Sequence, residues 1–327
     1  WKVASTLTEN DSIYIDEAHL LIDGQGYMGR ECTDVWMEIS KTPAKVLLFS
    51  GTMPDVFNEL GFKIIKGRPE TPKHWHFDFC EYKGKSIDAL RDYALSLDYS
   101  KGKHVILLNS DKKQKDISDY LVKKGKLKEN EVARVISTNR DSDTYRDIVA
   151  RETIGKGVKL VLFTIVGGEG LNINNTDIQS IAIFDERNKR TLMQFIARFR
   201  HIAQRRATVF LKHKEGEPLH DRYEELHEIE VIHARNTCDY LNKIKAVYAK
   251  SAPSYLSNKA IEKEHYKLAL YDKEAARYVP NVLSLHFEAQ KKIDRYKSNS
   301  QYVKEMEFSR HTVSILDMET AKDATME

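Results

Sequence analysis

Short apolar runs that end in polar residues recur along the first two thirds of the chain. Residues 13–15 (Ile-Tyr-Ile) end in Asp16-Glu17, and residues 46–49 (Val-Leu-Leu-Phe) end in Ser50-Gly51-Thr52. Runs of this length and composition are typical of strands buried in a parallel sheet. Between the two runs, Val35 and Ile39 flank Trp36 at helical spacing, as expected of a crossover helix. The pattern predicts an α/β fold.

The same pattern continues over the next hundred and more residues. Further strands of one sheet are predicted by four mainly apolar runs, which are residues 105–108, 134–136, 160–163 and 207–211. The first three of these runs lead into polar residues, which are Asn109-Ser110, Ser137-Thr138-Asn139 and Thr164. Because the carboxyl ends of parallel strands meet at one edge of a sheet, we expect these polar residues to lie at a common edge.

Three regions follow from where the pattern changes. Residues 1–72 end in a turn-rich segment with Gly67, Pro69 and Pro72, which is typical of an interdomain linker. Residues 73–213 alternate strand and helix and predict a complete parallel-sheet domain. Residues 214–327 contain little glycine and many apolar residues at helical spacing, so they predict an α-helical appendage whose last thirty residues are partly disordered.

Composition restricts the class of protein. The chain has 327 residues, of which 41% are hydrophobic and 31% charged, and these are ordinary values for globular domains. A net charge of +3 means that any nucleic-acid affinity has to come from local patches. Three scattered cysteines without metal-ligand spacing favour a reducing compartment and no zinc site. We find neither a signal peptide nor an apolar run of membrane-spanning length, so we expect a cytoplasmic protein without a membrane partner.

The tetrapeptide Asp16-Glu17-Ala18-His19 carries the strongest chemical signal. Two adjacent carboxylates at the end of a buried strand point to the edge where nucleotides and metals bind in α/β folds. Asp16 can hold Mg²⁺ while Glu17 orients and deprotonates an attacking water. The alternative for an isolated match is an acidic turn after a strand.

Five segments, taken in order, resemble the later half of a superfamily-two helicase motor. Asp16 to His19 is similar to motif II, Ser50-Gly51-Thr52 to motif III, and the strand that ends in Asn109-Ser110 to motif IV. The segment from Thr164 to Ile173 is similar to motif V, and Gln194-x-x-x-Arg198-x-Arg200 to motif VI. The resemblance covers residues 12 to about 212, and it implies the end of a first RecA-like domain followed by a complete second one.

The resemblance also implies roles for the site residues. ATP and Mg²⁺ would bind between the two RecA-like domains, with Asp16 and Glu17 on one wall and Arg198 or Arg200 on the other. Ser50, Gly51 and Thr52 would couple hydrolysis to domain closure, with His19 bridging motifs II and III. The expected nucleotide-binding set also includes His19, Gly168, Glu169, Gly170, Asn172 and Gln194.

Nucleic acid is the expected partner at the strand ends. Asn109, Ser110, Thr138, Asn139 and Thr164 offer hydroxyl and amide groups that suit phosphate contacts. Simple helix capping is the alternative for Ser110 and Thr138. The alternative for the arginines of motif VI is that they lie on a solvated helix face. The form of motif VI favours DNA over RNA, and the helical appendage is a possible site for a protein partner.

Two departures from the family pattern are important. No Gly-x-x-x-x-Gly-Lys-Ser/Thr loop occurs in the sequence, so the phosphate cradle is missing. Either the chain is a fragment of a longer polypeptide, or the upstream half is cleaved or supplied by another chain. Motif VI has Ala197 and Arg200 where glycines are usual, and His201 where the last arginine is usual. On a helix, Arg198 and Arg200 would point roughly 200° apart, so only one would face the γ-phosphate.

Three functional hypotheses remain open from the sequence. The first is an ATP-dependent helicase or translocase of which this chain is the carboxyl-terminal part, and it is the one we favour. The second is a nucleic-acid-binding or scaffold module that keeps the fold without hydrolysing ATP. The third is a different nucleotide hydrolase in which the motif II tetrapeptide is coincidental.

Overall fold

The computed structural model describes residues 6–26, 28–65, 74–139, 142–165, 170–214, 223–248, 267–272, 274–308 and 311–316. These residues form two compact units. The first lies within residues 1–67 and 218–296, and the second within residues 68–217 and 297–327. Each unit is therefore built from two separate stretches of the chain.

The described elements alternate strand and helix through most of the chain. In chain order they are β1 (Ser12–Ile15), α1 (Leu20–Asp23), α2 (Gly29–Ile39), β2 (Lys45–Leu48), α3 (Val56–Glu59), β3 (His76–Tyr82), α4 (Ser86–Ser96), β4 (Lys103–Leu108), α5 (Asp111–Lys123), β5 (Val132–Val135), α6 (Asp143–Arg151), β6 (Leu160–Phe163), β7 (Ile178–Phe184), α7 (Lys189–Ile196), β8 (Arg206–Lys212), α8 (Tyr223–Tyr248), β9 (Ala269–Asp272), β10 (Arg277–Pro280), α9 (Val282–Tyr296), α10 (Asn299–Phe308) and β11 (Thr312–Leu316).

The first unit contains a parallel pair of strands backed by helices. β1 pairs with β2 so that Ser12 lies opposite Lys45 and Ile15 opposite Leu48. Alternate residues of a strand point to opposite faces, so one face of the pair carries its apolar side chains to a core. That core is formed by Leu21, Ile22, Trp36, Ile39, Phe57 and Leu283. The crossover helix predicted from the sequence is α2, and it connects two strands that are parallel, as predicted.

Helices α8 and α9 pack together in the first unit through three stacked rings. The rings of His227 and His286 are parallel with their centroids 4.1 Å apart, and Tyr223 stacks on His227. The Tyr223 hydroxyl and Nδ1 of His286 form a hydrogen bond of 2.7 Å. Burial and, to a smaller extent, the charge of the neighbouring His227 together lower the pKa of His286 to about 4. Burial also lowers the pKa of His227.

We expect the free energy of unfolding to fall as the pH is lowered from about 6.5, the pKa of histidine in an unfolded chain, towards 4. In this window the unfolded chain binds a proton that folded His286 excludes, so this stability is present above pH 6.5 and is lost as the pH falls. One such proton contributes a slope of at most about 1.4 kcal/mol per pH unit. Urea unfolding followed by circular dichroism between pH 7 and pH 4 measures the slope.

His286→Phe keeps an aromatic ring in the stack and removes the titrating group, so its pH dependence should be shallower. His233→Phe is the matched control, because His233 lies on α8 with an exposed side chain. Equal slopes for wild type and His286→Phe would contradict the expectation.

The second unit is a seven-stranded parallel sheet with helices around it. The strand order is β11-β3-β8-β7-β4-β6-β5, and every neighbouring pair is parallel. The central strands are buried along their length, as the continuous apolar runs predict. This confirms the predicted α/β class and the parallel-sheet domain.

Two apolar layers cover the faces of this sheet. In β4, Val105 and Leu107 belong to one layer, while Ile106 and Leu108 belong to the other. The first layer also contains three residues of α10, which are Tyr302, Val303 and Met306. The carboxyl-terminal segment is thus part of the core of the second unit.

The carboxyl-terminal region differs from a purely helical appendage. Helices α8, α9 and α10 agree with the prediction, but β9 and β10 form an antiparallel pair, and β11 adds an edge strand to the main sheet next to β3. Within the tail that was expected to be partly disordered, residues 299–308 and 312–316 form α10 and β11, and residues 309–310 and 317–327 lie outside the described residues. β11 is held by its pairing with β3, where the side chain of His76 also contacts the hydroxyl groups of Thr312 and Ser314. The domain limits at residues 72 and 213 stay predictions.

Candidate functional site

The two carboxylates of predicted motif II lie in a tight turn directly after β1. Oδ1 of Asp16 accepts a hydrogen bond of 2.8 Å from the backbone N–H of Glu17. Glu17 has a φ of 51°, a left-handed conformation that costs a non-glycine residue on the order of 1 kcal/mol. The next amide, that of Ala18, donates to the carbonyl of Phe49 at 2.8 Å. The turn is therefore held by the residue that follows β2.

His19 joins predicted motif II to predicted motif III. Its ring is 5% exposed, and Nδ1 lies 3.0 Å from Oγ of Ser50 and 3.3 Å from Oε2 of Glu17. Oγ of Ser50 also accepts a hydrogen bond of 3.1 Å from the backbone N–H of Thr52. A hydroxyl has one hydrogen and two lone pairs, so Ser50 can satisfy both partners. The structure thus brings Glu17, His19, Ser50 and Thr52 together at one sheet edge.

Asp16 fits a role as a magnesium ligand. Its side chain is exposed, and Oδ1 accepts the hydrogen bond from the adjacent backbone N–H. Mg²⁺ in nucleotide sites is usually held by one or two carboxylates together with phosphate oxygens and water, a ligand set that Asp16 could join. Among the described residues there is no group of three or more His, Cys, Asp or Glu side chains that could hold a metal ion.

The polar residues predicted to contact nucleic acid lie together at the carboxyl edge of the second unit. β5, β6 and β4 are neighbours in the sheet, and Thr138 with Asn139, Thr164, and Asn109 with Ser110 follow their carboxyl ends. Thr138 is exposed, and the backbone N–H of Thr164 donates to the carbonyl of Val135 at 3.0 Å. The edge predicted from the sequence is thus present.

Three of these side chains also have structural partners. Ser110 is the N-cap of α5, because its Oγ accepts a hydrogen bond from the backbone N–H of Lys113 at 3.3 Å. Oδ1 of Asn139 accepts from the backbone N–H of Ile136 at 2.9 Å. Asn109 bonds to Ile165 and Glu186 through its carboxamide. Helix capping, the alternative for Ser110, is therefore what that side chain does in this structure.

Predicted motif V is described in part. Gly168 and Glu169 lie outside the described residues. Gly170 has a φ of 73°, a left-handed conformation that favours glycine. Nδ2 of Asn172 donates to Oε1 of Glu152 at 2.9 Å, and this bond, with a second one from Asn174, lowers the pKa of Glu152. Asn172 thus anchors the end of motif V to the residue after α6.

The arginines of predicted motif VI do not lie on a helix, which corrects the expectation from the sequence. α7 carries Gln194 but ends at Ile196. Phe199 forms an isolated parallel bridge with Ile173, and the carbonyl of Arg198 accepts a hydrogen bond of 2.9 Å from the N–H of Ile173. Phe199 is 3% exposed, and its burial stabilises this bridge relative to a continuation of α7.

The end of α7 changes the relation between the two arginines. The N–H of Arg198 donates to the carbonyl of Phe195 in a turn and Phe199 forms the bridge, so the opposite orientation expected for residues two apart on a helix does not apply. Nη1 of Arg198 donates to the carbonyl of Leu171 at 3.2 Å, whereas Arg200 is exposed and its charge helps lower the pKa of Glu152. Both arginines therefore interact with the end of predicted motif V or its anchor.

Sequence reasoning missed Glu152 and Glu186. Glu152 has a φ of 52° after α6, and Glu186 lies two residues beyond β7. Neither belongs to a recognisable spacing, so only the hydrogen bonds identify them.

In the part of the chain that the structure describes, no helix combines the length and apolar character needed to cross a membrane.

Several solved structures are similar to this chain. Dbp5 of S. cerevisiae, bound to RNA and ADP BeF3, is 19% identical over 64% of this chain and 55% of its own, with a TM-score of 0.43. The DUF1998 helicase MrfA, bound to DNA and AMPPNP, is 14% identical over 86% of this chain and 40% of its own, with a TM-score of 0.44. The yeast DEAD-box splicing factor Prp28 is 17% identical over 68% and 50%, with a TM-score of 0.31.

This chain thus spans between two fifths and somewhat over half of these structures. A scan against models of protein families finds no match, and a search of curated proteins finds none either. Because every one of these TM-scores is below 0.5, we base the proposed function on the geometry of the two sheet edges.

Proposed function

We propose that the chain is part of an ATP-dependent motor that moves on nucleic acid. The observation that carries this proposal is the parallel pairing of β1 with β2, which brings the carboxylates of Asp16 and Glu17 to the same edge as Ser50. This strand end carries two carboxylates and contacts the next strand end through His19. Such an arrangement suits a hydrolytic site in which binding of nucleotide moves a neighbouring segment.

Each residue of this edge has a chemical role in the proposal. Asp16 holds Mg²⁺, which supplies charge neutralisation on the transferred phosphoryl group. Glu17 orients the attacking water and accepts its proton. Nδ1 of His19 contacts both the carboxylate of Glu17 and the hydroxyl of Ser50, so a shift of Glu17 reaches the backbone N–H of Thr52 through this nitrogen and Oγ of Ser50.

Motif VI supplies positive charge in the proposal. A guanidinium that approaches the γ-phosphate stabilises the charge developing on the transferred phosphoryl group. Arg198 takes this role, with Arg200 as a secondary contact and Gln194 on the preceding helix. Gly168, Glu169, Gly170 and Asn172 complete the nucleotide-sensing segment in the proposal.

Nucleic acid is the proposed track, with DNA favoured over RNA. Asn109, Ser110, Thr138, Asn139 and Thr164 lie at one edge of the sheet, where hydroxyl, amide and backbone N–H groups can meet successive phosphates. Such contacts carry no base information, so binding should be independent of sequence and sensitive to salt. The preference for DNA rests on the form of motif VI alone.

The missing phosphate cradle has a natural place in the first unit. Within the described residues β1 and β2 pair only with each other, and parallel sheets are normally covered on both faces. Tyr14 is 68% exposed and Phe49 is 47% exposed, and their rings stack with centroids 6.1 Å apart. An exposed aromatic pair on an open sheet suits coverage by further strands and helices, which would include the P-loop segment.

The proposal predicts that residues 1–327 alone show no appreciable ATP turnover and bind nucleotide weakly. The backbone donors and the lysine that hold the β- and γ-phosphates are absent from the sequence. Mg²⁺-dependent ATP hydrolysis is measured for the purified chain and for a longer polypeptide or complex that supplies a P-loop. Single-stranded DNA, duplex DNA and RNA are compared as stimulators.

Stimulated turnover by the P-loop-containing form, with none by the chain alone, is the expected result. Stoichiometric ATPase activity of the chain alone would contradict the prediction and indicate another phosphate site. Nucleic-acid binding without any turnover in both forms would favour the second hypothesis, a scaffold that keeps the fold.

A further inference from the structure

Asn109 connects three strand ends at the carboxyl edge of the second unit. It follows β4, which lies between β6 and β7 in the sheet. Oδ1 of Asn109 accepts a hydrogen bond of 2.9 Å from the backbone N–H of Ile165, two residues after β6. Nδ2 donates a hydrogen bond of 2.9 Å to Oε2 of Glu186, two residues after β7. One carboxamide therefore bridges predicted motif V and the segment that leads to α7.

Glu186 continues this connection to the start of α7. Its second oxygen, Oε1, accepts a hydrogen bond of 2.8 Å from the backbone N–H of Asn188. Asn188 is the N-cap of α7, and its Oδ1 accepts from the backbone N–H of Thr191 at 3.1 Å. A continuous series of hydrogen bonds thus runs from the amide of Ile165 to the first turn of α7.

The backbone before Glu186 is held in an unusual conformation. Asp185 has a φ of 59°, in the left-handed region that residues other than glycine enter infrequently. Three hydrogen bonds keep it there. Oδ1 accepts from the hydroxyl of Tyr82 at 2.5 Å and from the backbone N–H of Lys212 at 3.3 Å, and the N–H of Asp185 donates to the carbonyl of Phe210 at 2.9 Å. A disfavoured conformation that is fixed by several bonds occurs preferentially at functional positions.

We propose that Asn109 and Glu186 are positioning residues that hold predicted motif V and the start of α7 in one fixed mutual position. A displacement of either segment is then passed to the other through the two side chains. This inference deepens the proposed function, on which it rests for its consequence. A phosphate bound at Thr164 and Ile165 would shift the helix that carries Gln194 and leads to Arg198.

The order of donors and acceptors along the series makes the pair specific. The N–H of Ile165 donates to Oδ1 of Asn109, Nδ2 of Asn109 donates to Oε2 of Glu186, and Oε1 of Glu186 accepts from the N–H of Asn188. Residue 109 must therefore offer one acceptor and one donor, and residue 186 must offer two acceptors. A carboxamide followed by a carboxylate meets this requirement. With Glu186→Gln, the amide of Asn188 requires the oxygen of Gln, so an NH₂ group faces Asn109. Oδ1 of Asn109 faces Ile165 and Nδ2 faces residue 186, so two NH₂ groups would meet, and a flip of the carboxamide would instead place Nδ2 against the N–H of Ile165.

Exchanging the two functional groups restores the series. In the double variant Asn109→Asp with Glu186→Gln, both oxygens of Asp accept, one from Ile165 and one from the NH₂ of Gln, whose oxygen accepts from Asn188. The pair keeps one negative charge, as in the wild type. Asn109→Asp alone instead places two carboxylates against each other. The double variant is therefore a rescue with unchanged charge.

Hydrogen–deuterium exchange of single amides in the full chain, without ligand, tests the inference. Each single variant should raise the exchange rate at Ile165 or Asn188 by about fivefold, the equivalent of one hydrogen bond. The double variant should return both rates to within about twofold of the wild type. Asn109→Ala should raise the rate at Asn188, which Asn109 does not touch. Lys115→Ala, an exposed side chain on α5, is the control and should change neither rate.

An effect of Asn109→Ala at Ile165 but not at Asn188 would overturn the inference, and so would failure of the double variant to restore the rates. Urea unfolding midpoints separate local from global loosening, and equal midpoints are expected for the single variants and the double variant.

Nucleic-acid affinity is measured in a second experiment with a fluorescent twenty-nucleotide dT strand. Absence of binding there would count against the proposed function, while the exchange rates alone decide whether Asn109 and Glu186 couple the two segments.

Discussion

Replacing Glu17 with Gln is expected to reduce ATP turnover by about two orders of magnitude or more in a form of the protein that supplies a P-loop, while ATP still binds. Gln keeps the size of the side chain and can still hydrogen-bond to water, but it cannot accept the proton of the attacking water. The loss should therefore appear in kcat and leave nucleotide affinity nearly unchanged. Turnover is measured by phosphate release and affinity by displacement of a fluorescent nucleotide.

The structure provides a matched control for this variant. Glu38 is an exposed carboxylate on α2 in the same unit, so Glu38→Gln removes the same charge at a position outside the turn. It should leave turnover within about twofold, as is usual for a surface substitution. Nearly normal turnover of Glu17→Gln would move the base elsewhere and remove motif II from the proposed mechanism.

Arg198→Ala is expected to reduce turnover on the order of a thousandfold, the effect of an arginine that stabilises the transferred phosphoryl group. In this structure the guanidinium donates to the carbonyl of Leu171, so it lies against predicted motif V. Movement of that segment would release or redirect the side chain. Turnover should fall much more than ATP binding, because the charge that Arg198 stabilises develops in the transition state.

Arg200→Ala and His201→Ala are the comparisons that decide which position supplies the charge. Both residues are exposed, and we expect smaller losses from each. Arg198→Lys separates charge from geometry, since a lysine keeps the charge but not the planar pair of donors. If Arg198→Ala has little effect while Arg200→Ala abolishes turnover, Arg200 is the arginine that acts and the assignment to Arg198 is wrong.

The sequence predicted the parts of the fold that depend on local pattern. Residues 160–163 are four consecutive apolar residues, and they form β6, which lies between β4 and β5. The same reasoning placed Asn109 and Thr164 at a common edge, because parallel strands of one sheet end at one side. The resemblance of the motifs also implied that His19 bridges predicted motifs II and III, and Nδ1 of His19 lies 3.0 Å from Oγ of Ser50.

Other parts depended on partners far away in sequence. β11 is a short strand whose pairing with β3 joins residues more than two hundred positions apart, and the alternation of Thr312 and Ser314 with Val313 and Ile315 is too short to identify a strand by itself. The region of Arg198 was expected to continue α7, since nothing local forbids it, but the bridge of Phe199 to Ile173 prevails. Glu186 could not be found, because its role is defined by the carboxamide of Asn109, 77 positions away in sequence.

The late position of β11 bears on how the second unit is made in the cell. The strand that β11 covers, β3, and its other neighbour β8 are complete once residue 212 has been synthesised, whereas β11 ends at residue 316. At translation speeds of about 5–20 residues per second, the nascent sheet waits roughly 5–20 s with that edge unpaired. An open edge strand is a template for pairing with other chains. Nascent chains on one messenger are therefore exposed to mispairing during this interval, and slow decoding of the codons between β8 and β11 would lengthen it.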